Sequence, residues 1–292
     1  MHKAIGRICK EIRTNLFAPP VSMNTILVPV DYSLASFNAF HYALKIAEQF
    51  SSRVILFHAN TIPVAIPHAG VSLHEEAIME AEARAKKYLA ELEYSVPPHI
   101  ARHIELELHT AEGEPDIKIA ELCQRLRPSL MVMGMKVRGP FTGAVMGSTV
   151  TRLLNKGPCP ILVVPEGARY CPIKTIAYGT LFEADEQESI DRLIEFAFLN
   201  EAVIHCVHVK SKDEENKADL DLKLSVLKRF YRDDIILNQI EVANVSHPSA
   251  LGGLMEYIDN YDIDMLALKT RNLGFWSRVF NPSLSKRIVF LS

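Results

Sequence analysis

The chain has 292 residues, enough for about two domains of ordinary size, and is 48% hydrophobic and 23% charged. That composition excludes a disordered or fibrous chain, and a formal charge of −3 gives no general attraction to nucleic acid or to an anionic membrane. No apolar run reaches the ~20 residues that span a bilayer, and five cysteines without a CxxC pair read as reduced thiols, so a cytoplasmic protein is expected.

Residues 1–22 precede a second methionine, Met23, and Pro19-Pro20 break them from the first apolar run; they read as an N-terminal extension without an apolar signal core. Thr25–Val30 is a continuous apolar run, the pattern of a parallel strand buried on both faces. It ends at Asp31, and Ser33 is placed to cap a helix whose apolar residues Phe37, Phe40, Ala43, Leu44 and Ala47 recur at helical spacing. Val54–Ala59 is a second strand. A loop with Pro63, Pro67 and Gly70 leads to a charged helix over Ser72–Tyr94, and Arg102–His109 alternates like a half-wet strand. Pro115 marks the first turn of a helix carrying Ile119, Leu122 and Leu126.

The stretch Leu130–Pro165 carries the densest chemistry. An apolar run, Leu130–Met133, ends at Gly134. A loop with Lys136, Arg138, Gly139, Pro140 and Gly143 comes next, Gly147-Ser148-Thr149 opens a helix through Leu154, and Ile161–Val164 is a further strand. Strand, glycine loop, Ser/Thr-started helix and strand make a layout in which backbone N–H groups and a helix N-terminus face an anion. A P-loop is a poor fit: Gly134 to Gly139 has the GxxxxG spacing, but Pro140-Phe141 stands where Lys and Ser/Thr would reach phosphate and Mg²⁺.

After a linker over Glu166–Pro172 the pattern restarts as an internal repeat. Thr175–Tyr178 and Ala202–His208 echo the first two strands, including the terminal histidine of the second. Ser189–Leu199 is an amphipathic helix, and a charged helix is expected over Asp213–Tyr231. Ile235–Val242, a helix over Pro248–Ile258 and a fourth strand, Ile263–Leu268, complete the pattern. In an ungapped overlay Lys269 falls on Gly134, Pro282 on Gly147, Ser283 on Ser148 and Gly274 on Gly139, while Leu181 replaces Asp31. Lysine and proline at those places close a phosphate nest, so the second repeat is expected to keep the fold without the site. Phe275, Trp276, Val279 and Phe280 make its loop apolar, for packing or for a partner.

Gly134 and Gly147-Ser148, together with the Pro-Cys-Pro-Ile-Leu-Val-Val-Pro ending after the helix, resemble the universal stress protein family, whose loop reads G-x2-G-x9-G-[ST]. Val137 departs from that pattern at the second glycine; a β-branched residue takes φ > 0 with difficulty and fills space a phosphate would use. The resemblance implies an α/β fold of two tandem adenine-nucleotide-hydrolase-like, Rossmann-like domains, each with strand order 3-2-1-4-5. The expected limits are residues 23–167 for the nucleotide-binding domain and 172–292 for a degenerate one. At the switch point between the first and fourth strands, the resemblance implies a nucleotide site made of Pro29, Asp31, Ala59, Met133, Gly134, Val137, Gly147, Ser148 and Thr149. Asp31 reads either as an acceptor for an exocyclic amine or sugar hydroxyl, or as an acid suited to a helix N-terminus.

The expected ligand is ATP, with AMP or ADP as alternatives and Mg²⁺ as a companion, and the expected role is stress-response regulation through an unidentified protein partner. A scaffold that binds no nucleotide and a slow ATPase are the alternatives. No catalytic residue is expected, because no nucleophile stands beside a base in a recognisable motif. His99, His103 and His109 lack metal-ligand geometry, and His205 and His208 point to opposite faces of a strand. No counterpart of Cys159–Pro165 is visible after Arg287–Ser292, so the second sheet is expected to lack its last strand. That would leave Ile161–Val164 as an apolar edge, with the two halves packed as a pseudo-dimer and the edge recruiting a second chain into a homodimer.

Overall fold

The computed structural model describes residues 23–61, 71–136, 147–156, 159–210, 224–225, 227–229, 231–232, 239–269 and 288–291. Five strands in the first half are Thr25–Pro29 (β1), Arg53–Asn60 (β2), Leu106–Glu112 (β3), Leu130–Met135 (β4) and Ile161–Pro165 (β5). They alternate with helices Leu34–Phe50 (α1), Val71–Tyr94 (α2), Pro98–Ala101 (α3), Pro115–Leu126 (α4) and Ser148–Lys156 (α5). The second half has Thr175–Gly179 (β6), Val203–Lys210 (β7), Ile240–Ser246 (β8), Met265–Leu268 (β9) and Ile288–Leu291 (β10), with Gln187–Asn200 (α6) and Ala250–Asn260 (α7) between them.

Among the described residues these ten strands form one sheet, in the order β3-β2-β1-β4-β5-β10-β9-β6-β7-β8. Each half is parallel within itself, and the halves meet where β10 runs antiparallel to β5, with Val289 opposite Val163, Phe290 opposite Leu162 and Leu291 opposite Ile161. The order 3-2-1-4-5 is thus realised twice. The register repeats too: Thr25 faces Arg53 across β1 and β2, and Thr175 faces Val203 across β6 and β7.

The continuous apolar runs are explained by burial on both sheet faces. Along β1, Ile26 and Val28 join one core with α1, α2 and α6, while Leu27 joins the opposite core with α4, α5 and α7. Each core runs through both halves without a break. Around the junction, Asn38 donates to the carbonyls of Pro165 (3.0 Å) and Ala168 (2.9 Å), and Phe50 stacks on Phe196 with centroids 5.7 Å apart. The first half and the second therefore pack as the expected pseudo-dimer.

The expected missing strand is present: Ile288–Leu291 is the last strand of the second half, wholly buried. An ungapped overlay sets those residues opposite the helix that precedes β5, because fewer residues separate β9 from β10 than separate β4 from β5. The free β5 edge does not exist either, since β10 satisfies its backbone groups, and the homodimer expected through that edge loses its basis. The outer edges are β3 and β8, half-exposed and carrying Glu107, Glu112 and Glu241. Charges on an edge strand discourage pairing with another sheet.

Two strand limits also move. Pro97-Pro98 start a helical turn, with Pro98 in its first positions, so β3 begins at Leu106 and runs on to Glu112 beside β2. β8 shifts in the same way to Ile240–Ser246, matching Ile204–Lys210 residue for residue. The charged helix expected over Asp213–Tyr231 lies mostly outside the described residues, as do the extension 1–22 and the apolar loop with Phe275 and Trp276. Among the described residues no helix is long and apolar enough to cross a membrane.

Candidate functional site

β1 and β4 are neighbours, yet the helices that come after them pack on opposite faces of the sheet, so a crevice opens beyond their carboxyl ends. A cavity of about 360 Å³ lies there. Pro29 and Asp31 reach it from the end of β1, Ala59 from β2, Met133 and Gly134 from β4, and Gly147, Ser148 and Thr149 from the start of α5. Eight of the nine expected residues are thus brought to one place; Val137 lies outside the described residues.

The turn out of β1 is held by a small network. Tyr32 takes a left-handed backbone conformation (φ 61°) and its ring packs against His58 and Tyr88, centroids 4.5 and 4.4 Å away. A bulky residue in that region is a strained conformation, maintained here by the contacts on its ring. The Ser33 hydroxyl caps α1 by accepting from the Ser36 amide (3.1 Å) and donates to Asp31 Oδ1 (2.5 Å). The Ser33 amide also donates to Asp31 Oδ1 (3.2 Å), and the Asp31 amide donates to Ser36 Oγ (3.2 Å). Burial pushes the Asp31 carboxyl up, but hydrogen bonds from Ser33 and Ser36 and the charge of Lys136 outweigh it and hold the group below its usual range. Asp31 therefore presents an ionised acceptor at neutral pH.

The two glycines at the site exist for different reasons. A Cβ on Gly134 would stand 2.3 Å from the Ala35 carbonyl carbon and 2.6 Å from the Ser36 nitrogen, both backbone atoms of α1 that cannot give way. Gly134 is needed for α1 to lie on β4. A Cβ on Gly147 would meet nothing within 4 Å among the described residues, and its φ is not in the left-handed region, so no described neighbour and no backbone geometry demands glycine there. At that point the first N–H groups of α5 have no partners within the helix and point beyond its N-terminus. Arg152 fixes α5 against α4 by an ion pair to buried Asp116 (Nε to Oδ1, 3.3 Å).

Sequence reasoning misses several contributors. Ser33, Ser36 and His58 line the cavity, and Pro115 and Ile119 of α4 add an apolar wall beside Met133 and Phe57. Pro115 at a helix start just past a strand end is the available signal for that wall. The Nδ1–H of His58 donates to the Val30 carbonyl (2.7 Å), tying the end of β2 to the end of β1. His208 does the same for Thr180 in the second half (2.9 Å), so the echoed histidine is a strand-end staple. Lys136, a cation of the glycine loop, also lines the cavity.

The corresponding crevice of the second half is crossed by its own side chains. Lys269, in the place of Gly134, sends Nζ 2.7 Å from Asp185 Oδ2 and also to the Asp185 carbonyl. A side chain at that position displaces the start of the helix: a 3-10 turn, Ala184–Glu186, precedes α6, which begins only at Gln187. Glu186 takes over the role of Ser36, accepting from the Leu181 amide (3.1 Å) and from the Thr180 hydroxyl. Burial pushes its carboxyl above the usual range. Pro282 lies outside the described residues.

Comparison with known proteins identifies the first half by sequence and the whole chain by fold. Residues 23–165 match the Universal stress protein family. The chain is 27% identical over 144 residues to universal stress protein MJ0531 of Methanocaldococcus jannaschii, covering 48% of this chain and 80% of that one. It is 27% identical over 147 residues to universal stress protein Sll1654 of Synechocystis, covering 50% of this chain and 87% of that protein. Among solved structures, a universal stress protein from Archaeoglobus fulgidus superposes with a TM-score of 0.71 at 15% identity, over 93% of this chain and 98% of that one. At that identity the likeness concerns the fold.

Proposed function

We propose that this chain, a member of the universal stress protein family through residues 23–165, binds one adenine nucleotide in the crevice between β1 and β4 and regulates a stress response through that binding. The observation that carries the reading is the convergence, on a cavity of about 360 Å³, of an ionised carboxylate, a lysine and an accessible helix N-terminus. That volume is in the range of small-molecule sites, about 300–1,000 Å³. Asp31 accepts from the exocyclic amine or a sugar hydroxyl, and Ala59, Met133 and Ile119 offer apolar surface to the base. The N–H groups at Ser148 and Thr149 take the phosphates, a contact worth up to about 2 kcal/mol in a partly buried setting. Lys136 neutralises them. Gly147, which no contact among the described residues requires, leaves room for a phosphate to approach the backbone.

Adenine as the base comes from the family resemblance; the carboxylate, cation and amides account for a phosphorylated polar ligand. A magnesium companion would be held by phosphate oxygens and water, because among the described residues no three His, Cys, Asp or Glu side chains converge. We read the role as binding rather than turnover: His58 spends Nδ1 on the Val30 carbonyl, and the Ser33 hydroxyl that donates to Asp31 is held as the cap of α1. We read the second half as a diverged copy that completes the sheet and carries no nucleotide.

The test is a titration of the full chain with a fluorescent ATP analogue. Asp31→Ala is expected to weaken binding about tenfold, the loss of one charged hydrogen bond of roughly 1.5 kcal/mol. Undiminished affinity in that variant, with the fold intact, overturns the assignment.

A further inference from the structure

We propose that Cys123 and Cys159 form a redox-active thiol pair, which hydroperoxides oxidise to a disulfide joining α4 to the entry of β5 beside the crevice. The two Sγ atoms are 4.0 Å apart across 36 residues of chain, and both cysteines are free thiols. A disulfide needs sulfurs about 2 Å apart, so the bond forms after an approach of about 2 Å. Cys123 is 1% exposed on α4, one turn beyond the cavity-lining Ile119. Cys159 is partly exposed and lies two residues before β5. This places a partly buried cysteine against a fully buried one, so that the less buried thiol meets the oxidant and the other resolves it.

Packing alone does not require sulfur here. In the ungapped overlay of the two halves, Ile258 of α7 occupies the place of Cys123 and is itself fully buried, so the fold accepts an ordinary aliphatic side chain at that position. The pair belongs only to the half that carries the candidate site. Its geometry also reaches that site: α4 contributes Pro115 and Ile119 to the cavity, and α5, which leads toward Cys159, contributes Ser148, Thr149 and Val150. A covalent link between α4 and the entry of β5 fixes one wall of the crevice relative to the other.

In the first step the Cys159 thiolate attacks an oxygen of the hydroperoxide, the O–O bond breaks, and the leaving alkoxide takes a proton to become an alcohol, or water from hydrogen peroxide. Cys159 is then a sulfenic acid. The Cys123 sulfur attacks the Cys159 sulfur and expels hydroxide, which leaves as water with the proton from Cys123. Two thiols lose two electrons, and the hydroperoxide gains them. The hydrogen bond shared with Cys123, together with burial, holds the Cys159 thiol well above its usual range, so the thiolate is scarce and oxidation is slow at neutral pH. Such a pair reports sustained exposure to oxidant rather than clearing it.

This proposal stands independently of nucleotide binding, and so does its test. The reduced full chain is exposed under native conditions to hydrogen peroxide, blocked with an alkylating agent in denaturant and mapped by mass spectrometry. The expected result is a peptide pair linking Cys123 to Cys159 within a single chain, a loss of two alkylatable thiols, and their return with dithiothreitol. In Cys123→Val, which imitates the aliphatic residue of the second half, Cys159 is expected to stop at a sulfenic acid captured by dimedone. Cys171, which is exposed, serves as the competitor. Oxidation of Cys171 while Cys123 and Cys159 remain alkylatable, or oxidation of the pair without a mutual link, overturns the proposal.

Discussion

At the scale of single residues, the two glycines separate what the fold needs from what a ligand needs. Gly134 touches the backbone of α1, so Gly134→Ala forces α1 away from β4 and is expected to cost at least about 1–3 kcal/mol in a denaturant titration. A side chain at Gly147 would touch nothing among the described residues, so Gly147→Ala is expected to change stability by less than about 0.5 kcal/mol while weakening nucleotide binding several-fold. Equal stability losses for the two variants would contradict the distinction. From the sequence both glycines look like the same loop device. Their difference depends on Ala35, which is about a hundred residues away along the chain and touches Gly134 only through the parallel pairing of β1 and β4. Asp31, by contrast, is legible: a carboxylate at the end of an apolar run, two residues before a capping serine, has few other places to be.

At the scale of elements, the halves serve as controls for one another. β7 and α7 meet through His205 and Tyr257, Nδ1 to the phenol oxygen at 2.8 Å, where β2 and α4 of the first half meet through Ile55 and Leu122. Burial holds the His205 imidazole below its usual range, partly offset by Glu241. The folded state thus prefers the neutral ring, so this contribution to stability is complete above about pH 6.5 and is lost as the pH falls below it. His205→Ile combined with Tyr257→Leu, which copies the first half, is expected to flatten the fall in thermal midpoint between pH 7 and pH 5 relative to the native chain. A parallel fall in both would contradict this. Elements buried on both faces, such as β1, β2 and β4, can be read directly from their apolar runs. The limits of β3 and β8 cannot, because half-exposed edge strands alternate weakly and take their length from the neighbour they pair with.

At the scale of the whole molecule, β10 is the keystone. Four consecutive residues, Ile288–Leu291, are buried, pair parallel to β9 and antiparallel to β5, and so make two five-stranded sheets into one. Such a short apolar segment carries no periodicity, and its partners are more than a hundred residues away in β5 or about twenty residues back in β9, which is why it reads as a tail. Burying each of these side chains is worth about 1.5–3 kcal/mol, and together they rival the stability of a typical domain, about 5–15 kcal/mol. A chain ending at Arg287 is expected to expose β5 and β9, and to dimerise or aggregate by light scattering with a lowered thermal midpoint. A stable monomer from that truncation would contradict the role assigned to β10. The two crevices also differ at this scale, one open and lined by Asp31 and Gly147, the other crossed by the Lys269–Asp185 ion pair.

That contrast makes binding stoichiometry the decisive quantity. Isothermal titration of ATP and of AMP into the full chain is predicted to give a single site per chain, weakened about tenfold by Asp31→Ala and unaffected by Lys269→Ala. Two sites per chain, a site whose affinity is undiminished by loss of Asp31, or no heat of binding with either nucleotide at millimolar concentration would contradict it.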